Sequence, residues 1–476
     1  MPIIATIFTA TFIGIIILGA VRINRQHTLL DQFPYESCSL SLDYAKDSLT
    51  YEKLIHFIFF SYIVLLFYFH LINIRDSFAW TLPTIVASFF YMLFFSYSSI
   101  FAKVYIGTPK NFNTTLIIPV YNEDSHIFRS CLDSISAQTL LPKLIHVIED
   151  GSKMENCVAD IVSAWKIQNP HIPIQYTYVP NNGKRNAQAI AIVPTIKTTD
   201  VYITVDSDTV LDFEAIHNGL IPFNDEYVMS VAGLLQNYNN HNFLTNLLGL
   251  GFISSFTNGR ACFSRWNSVS VSCGGLAFYR KKVLELHLDD YLNQKVFGQK
   301  ANYGDDRMLT QFASLHGHTV YQESAVGYTL MPENVFHLTR QRIRWWKSFW
   351  WGGLWVIQHQ NIKRRIWWLV LSQFISTFLF FVIIPFVFLI YPLISFEFPW
   401  AAFAYLIALS YIRTIRVLFL KKQKLTRQQR FFQWLIFSPF VSLFNIYLCS
   451  MLQYYSLFRL KDVLGWSTRD DIEVQT

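Results

Sequence analysis

The chain has 476 residues, 52% of them hydrophobic, 17% aromatic and only 15% charged, with a formal net charge of +7. A soluble domain of average composition carries about 25% charged residues, so the composition argues against a wholly soluble protein. The positive charge lies mostly beside apolar runs, as positive-inside flanking does, and no basic, aromatic-interleaved motif indicates nucleic acid.

A membrane helix needs about 20 mostly apolar residues. Ile3 to Val21, Leu54 to Ile74 and Phe78 to Phe101 meet that need. The first lacks a basic leader and a clear small-residue cleavage site, and Arg22 and Arg25 follow it. It therefore reads as an anchor with its N-terminus outside, leaving 26–53 as a cytosolic connector. From Thr114 to about Thr329 the pattern changes to short β-rich runs alternating with amphipathic stretches, as in an α/β domain. Cys131, Cys157, Cys262 and Cys273 fall in this block, while Cys38 and Cys449 lie outside it; none forms a CxxC pair, so neither structural zinc nor a disulfide framework is expected.

Within the block, Leu116 to Val120, Leu144 to Ile148 and Val201 to Val205 read as buried strands. The second ends at Glu149-Asp150-Gly151 and the third at Asp206-Ser207-Asp208. Ligands bind at the carboxyl edge of open α/β sheets. Residues two apart on an extended segment share a side, so Asp206 and Asp208 suit a hard divalent cation, Mg²⁺ or Mn²⁺, shared with substrate phosphates; a solvated turn is the plain alternative. Upstream, Gly183 permits close backbone approach, and Lys184 and Arg185 can meet phosphate charge. Gly304-Asp305-Asp306-Arg307 precedes a helix-like run and reads either as an acidic helix start or as a general base beside a second carboxylate. Gln341 to Trp345 leads into a Trp-rich stretch, expected to be an interfacial amphipathic helix whose first turns carry Arg344 for a diphosphate and Trp345 as a sugar platform.

After this come the apolar runs Ile366 to Ile394 and Trp400 to Leu420, the basic loop Lys421 to Arg430, and a last run, Phe431 to Phe458, in which Pro439 leaves a single crossing and a re-entrant path both open. Arg413 and Arg416 read as channel-mouth residues or as snorkelling cations.

These motifs, in this order, resemble the processive, inverting family 2 glycosyltransferases of GT-A fold, particularly hyaluronan synthases. The pieces that carry the resemblance are Asn182 to Gln188, Thr204 to Thr209, Gly304 to Thr310, and Gln341 with Arg344-Trp345. The resemblance implies a mixed, mostly parallel α/β domain inserted between transmembrane helices. It makes Asp150 a uridine contact, Lys184 a nucleotide contact, Asp206 and Asp208 metal and diphosphate ligands, and Asp306 the base with Asp305 beside it. Gln341, Arg344 and Trp345 would hold diphosphate and acceptor, Gly274 and Gly275 would lie in an acceptor-side loop, and Trp466 and Arg469 in a gating tail. Two departures stand out: Cys273-Gly274-Gly275 replaces a serine–glycine–proline start, and Gly259 stands where the family has an acid before Arg260-Ala261.

The expected organisation is an anchor (1–25), a connector (26–53), a transmembrane hairpin (54–101), a cytosolic transferase domain (113–335), interface helices (336–365), a transmembrane or re-entrant channel region (366–458) and a cytosolic tail (459–476). The implied partners are UDP-sugars, a growing polysaccharide and the lipids of the cell membrane, with no obligatory protein partner evident. The implied product is hyaluronan; a chitin-type or glucose–glucuronate polymer, a lipid-linked non-processive transfer and a non-catalytic scaffold are the competing readings.

Overall fold

The computed structural model describes residues 94–152, 157–296, 299–301, 303–385, 388, 391–420 and 425–460. The first two predicted spans, the connector and the tail with Trp466 and Arg469 lie outside them.

The chain divides into two compact units. One contains 98–352 together with the segment from 413 onward. It opens with β1 (Thr114–Val120), α1 (Ser125–Ser136), β2 (Leu144–Asp150), α2 (Cys157–Gln168) and β3 (Ile174–Val179). Next come α3 (Lys184–Thr195), β4 (Val201–Thr204), β5 (Val210–Leu211), α4 (Ala215–Leu220), β6 (Val228–Asn237) and α5 (Phe243–Ser254). A π-helical turn, Ser255–Arg260, leads into α6 (Ala261–Arg265), β7 (Ala277–Arg280) and α7 (Lys281–Asn293). The ribbon of β8 (Lys295–Val296) and β9 (Gln299–Lys300) precedes α8 (Asp305–His316), β10 (His318–Thr329) and α9 (Val335–His359).

Eight strands form one sheet in the order β3-β2-β1-β4-β7-β6-β10-β5. Pairings of β1 with β2 and β4, β2 with β3, and β6 with β10 are parallel, whereas β7 runs antiparallel to both neighbours. Strand β1 is buried along its whole length, because a parallel strand covered on both faces is a continuous apolar run. The register Val120↔Glu149 brings the carboxyl ends of β1 and β2 to one edge, where Glu123 and Asp150 follow. Helix α1 starts cleanly because the Asp124 carboxylate accepts from the His126 and Ile127 amides at 2.9 and 3.0 Å.

The last apolar run belongs to this same unit. Helix α13 (Arg427–Phe444) opens on a capping box between Thr426 and Gln429 and packs on α5 through Phe243 with Phe437 and Phe440. Helix α14 (Ser450–Phe458) supplies the Gln453 carbonyl to which the Trp350 indole donates at 2.9 Å. Arg416 is held by protein partners. Its guanidinium pairs with Glu323 at 2.7 Å and donates to the carbonyls of Ser99, at 3.0 Å, and Thr257.

The described part of the other unit contains the end of α9, α10 (Arg365–Pro385), α11 (Tyr391–Ser395) and most of α12 (Trp400–Thr414). Val356, Ile366 and Val370 form a small core with Trp355, and the Trp367 indole donates to the Ile357 carbonyl at 3.0 Å. Among the described residues one helical stretch, Ala402–Phe419, is long and apolar enough to cross a membrane.

Candidate active site

The carboxyl edge of the sheet gathers the predicted acids. Asp150, 2% exposed, accepts from the Asn182 amide at 2.8 Å, which clips the β3–α3 turn to the end of β2. The clip needs Gly151: its φ is +66°, and a Cβ there would sit 2.4 Å from the Asn181 nitrogen. The turn releases Lys184 and Arg185 in different directions. The Lys184 ammonium lies 2.5 Å from Asp206 and 3.2 Å from Asp305, so one cation ties the end of β4 to the start of α8. Arg185 is buried at 3% exposure, lies over the Tyr291 ring, and donates to the Tyr291 and Tyr303 carbonyls and to Gln294. The sequence reading gave both cations to phosphate. The structure leaves Lys184 beside the acids and sets Arg185 under the β8–β9 region as a support, with three of its five donors bonded to protein acceptors.

Asp206 and Asp208 follow β4 as expected. Between them the Ser207 hydroxyl donates to Glu123 at 2.7 Å, while Asp208 accepts from the Thr209 and Thr329 hydroxyls at 3.2 and 3.3 Å. No motif in the sequence singles out Glu123. The signal that could have found it is the one that singled out Asp150 and Asp206, an acid just past the carboxyl end of a buried strand.

Gly304 takes the left-handed conformation, φ +73°, and a Cβ there would lie 2.6 Å from the Ser348 hydroxyl and 2.7 Å from the Trp351 ring. Glycine thus lets α9 close on the start of α8. Asp305 and Asp306 fill the first turn of α8, where the helix dipole favours negative charge. The two carboxyls are pushed apart. Burial raises the Asp305 pKa, but Lys184 and Arg185 outweigh it and hold the group below the usual range. Asp306 is held above that range by burial and then by the charge of Asp305. Its carboxylate accepts from the Gly274 amide at 3.3 Å and the Arg307 amide at 2.7 Å, and its carbonyl from the Thr310 hydroxyl at 2.6 Å and the Tyr279 hydroxyl at 3.3 Å. Thr310 closes the Gly304 to Thr310 segment, whereas Tyr279 was not singled out, since its role depends on β7 lying under α8. Gly274 also floors the site: a Cβ there would meet the Lys184 ammonium at 3.1 Å and both Asp206 oxygens at 3.5 Å. Gly275 faces away, toward Leu235 and Thr209.

On α9, Gln341, Arg344 and Trp345 are each half-buried. Trp345 lies near-parallel to Phe252 with 6.1 Å between ring centroids, and the Arg342 guanidinium sits 4.7 Å from the Trp345 ring. Arg344 lies close enough to His337 that, after burial, its charge lowers the His337 pKa. The structure connects α9 to the acids through Gly304, Ser348 and Arg307, whose Nε donates to the Ser348 hydroxyl at 3.2 Å, rather than through a direct contact of Trp345 with a carboxylate.

The donor chemistry fits a divalent cation of the Mg²⁺ or Mn²⁺ kind. Among the described residues no three His, Cys, Asp or Glu side chains cluster as an all-protein cage. A magnesium-type ion instead takes one or two carboxylates and completes its shell with phosphate and water. Asp206 and Asp208 offer that set, and a Cβ at Gly274 would crowd Asp206 and the Lys184 ammonium beside it.

The family model for glycosyl transferase family 2 matches residues 115–288, the stretch from β1 through α7. Over those residues the chain is similar to the family 2 glycosyltransferases. The mixed, mostly parallel sheet that the resemblance implied is present, with the acids at its carboxyl edge. Over 247 residues, 51% of the chain, the sequence is 34% identical to a hyaluronan synthase of Streptococcus pyogenes, of which 58% is covered. Over 237 residues it is 32% identical to an N-acetylglucosaminyltransferase of Rhizobium meliloti, covering 49% of the chain and 54% of that protein. The match thus spans little more than half the length of these curated relatives. Among solved structures, a mannosyltransferase from Pyrobaculum calidifontis superposes with a TM-score of 0.47 at 15% identity, covering 77% of this chain and 97% of that one.

Proposed function

We propose that the chain is a processive, inverting β-glycosyltransferase that polymerises UDP-N-acetylglucosamine and UDP-glucuronate and passes the product through its own membrane segments. The observation that carries this reading is Lys184 shared between Asp206 and Asp305 with Asp306 beside them, which sets a donor site and a base against each other. The streptococcal hyaluronan synthase, 34% identical over 247 residues, supports the choice of sugars.

In this mechanism Asp150 and the 181–183 turn hold the nucleotide, and Lys184 meets its diphosphate. Asp206 and Asp208 would hold a divalent ion, which when bound would supply charge neutralisation for the leaving diphosphate. Asp306 takes the proton of the acceptor hydroxyl, whose oxygen bonds to the anomeric carbon as the bond to UDP breaks and the electron pair leaves with UDP. A carboxylate with a raised pKa is the stronger base of the two. Asp305, held ionised by Lys184, keeps that ammonium in place. Trp345 and Arg344 fix the acceptor end and the diphosphate, so the rate comes from positioning and charge stabilisation.

A multi-pass location in the cell membrane, with the transferase domain in the cytosol, is part of the same proposal. It is supported by the apolar stretch Ala402–Phe419 and the basic loop Lys421 to Arg430 that follows it. A chitin-type product is the second reading, favoured by Gly259 in place of the family's acid and by the rhizobial relative.

Purified protein supplied with UDP-sugars singly and in pairs decides between them. Polymer that requires both sugars and is cut by a hyaluronan-specific lyase supports the first reading. Polymer from UDP-N-acetylglucosamine alone rejects it.

A further inference from the structure

Strand β1 lies between β2 and β4 in the sheet, so the chain leaving its carboxyl end runs between the strand ends that carry Asp150 and Asp206. That exit, Tyr121-Asn122-Glu123-Asp124, is bonded to both neighbours. Asn122 takes a left-handed backbone, φ +46°, which is uncommon outside glycine and which asparagine tolerates better than most residues. Its amide donates to the Ser152 hydroxyl at 3.2 Å, just past the end of β2. Next along the chain, the Glu123 carboxylate accepts from the Ser207 hydroxyl at 2.7 Å, just past the end of β4. Backbone held in a sparsely populated region persists only where its surroundings fix it, and it clusters at ligand sites.

Ser207 stands between Asp206 and Asp208 and is 4% exposed, whereas the two acids are half-buried. The Thr209 amide closes this turn on the Asp206 carbonyl at 3.0 Å, and the Cys131 thiol donates to the same carbonyl at 3.8 Å. Those bonds fix the first and last residues of the turn. Its middle is held through the Ser207 hydroxyl, by Glu123. Burial and then the charges of Asp208, Glu123 and Asp206 raise the Cys131 thiol, so all three carboxylates lie around one buried sulfur. A hydrogen bond to a carboxylate is about twice as strong as one between neutral groups, and this one joins the exit of β1 to the residue flanked by both acids.

We propose that Glu123 is a positioning residue for the divalent ion: through the Ser207 hydroxyl it fixes the turn that carries Asp206 and Asp208. The assignment rests on the donor-site reading above, in which those two carboxylates hold the ion against the diphosphate. It adds a requirement for a bond rather than for a third charge, because Glu123 acts by accepting from Ser207.

The test is Mn²⁺ uptake by the full-length protein in detergent with UDP present, followed by loss of the free-ion electron paramagnetic resonance signal. E123A should weaken Mn²⁺ binding by about tenfold or more, the range for losing an outer-shell partner. S207A should weaken it to a similar extent, and E123A/S207A no further, because each substitution breaks the same bond. E123Q keeps an acceptor oxygen for Ser207 and should recover most of the affinity. UDP binding without metal should be unchanged in every variant, whereas a general structural defect would lower it too. Thermal melting confirms folding, and S207A carries the test if E123A does not fold. Wild-type Mn²⁺ affinity in folded E123A or S207A overturns the proposal. So do losses that add in the double variant, and so does an E123Q defect as large as that of E123A, since the charge and not the bond would then matter. A wild-type protein that takes up no Mn²⁺ rejects the donor-site reading itself, whereas wild-type uptake with unaffected variants rejects the role of Glu123 alone.

Discussion

On the nucleotide side of the site, Lys184 lies within ion-pair distance of both Asp206 and Asp305, and Asp150 is satisfied by a backbone amide. On the acceptor side, Arg260, Arg307 and Arg342 face aromatic rings, and no described carboxylate pairs with them. In the first region one ammonium is shared by two carboxylates, which leaves a net negative charge suited to a divalent ion. In the second the cations are half-buried and lie on flat rings, with the charge of Asp306 acting on Arg260 and Arg307.

The sharpest way to break this contrast is at the boundary, Asp306. D306N removes the base and should lower polymer synthesis by about 10²–10⁴-fold, measured as UDP release, with UDP binding retained. Unchanged turnover would show that Asp306 is not the base. K184M comes next: it removes a charge-assisted contact from the donor side and should lower kcat/KM by about 10–100-fold.

The pH profile separates the two acids. A base must be ionised, so activity falls as pH drops through the raised Asp306 pKa. Lys184 lowers that pKa and Asp305 raises it. The acid limb should therefore move to higher pH in K184M and to lower pH in D305N, and limbs moving together would contradict the assignment. Neighbouring glycines give the smallest effects. A Cβ in G275A would lie 2.7 Å from Leu235 and should cost about 1–3 kcal/mol of stability, read by thermal melting. In G274A the nearest atom is the mobile end of Lys184 at 3.1 Å, so KM should rise by less than about tenfold without a change in melting.

Much of the donor side was legible in the sequence because each acid follows a buried apolar run. Strand β2 extends through Glu149 and Asp150, past the end expected at Ile148, because its ladder to β3 continues into the acidic residues. Lys184 and Arg185 were not separable by pattern: adjacent residues at a helix start leave in different directions, and only the packing of Tyr291 and Tyr303 decides which is buried. The placement of Arg260, Arg307 and Arg342 against rings was the least legible, since they come from a π-helical turn, α8 and α9, far apart in the chain. Hydropathy also could not show that Phe437 and Phe440 pack on Phe243, since a lipid-facing and a helix-facing phenylalanine look alike in sequence.

The Arg416–Glu323 pair has a practical corollary for anyone trimming this protein. A fragment spanning 98–352 retains every acid of the site, yet it strands Glu323 without its cation and strips Phe243 of Phe437 and Phe440. It also takes from Trp350 the carbonyl to which its indole donates. A soluble version should therefore graft 413–460 back by a linker rather than stop where the recognisable transferase sequence ends.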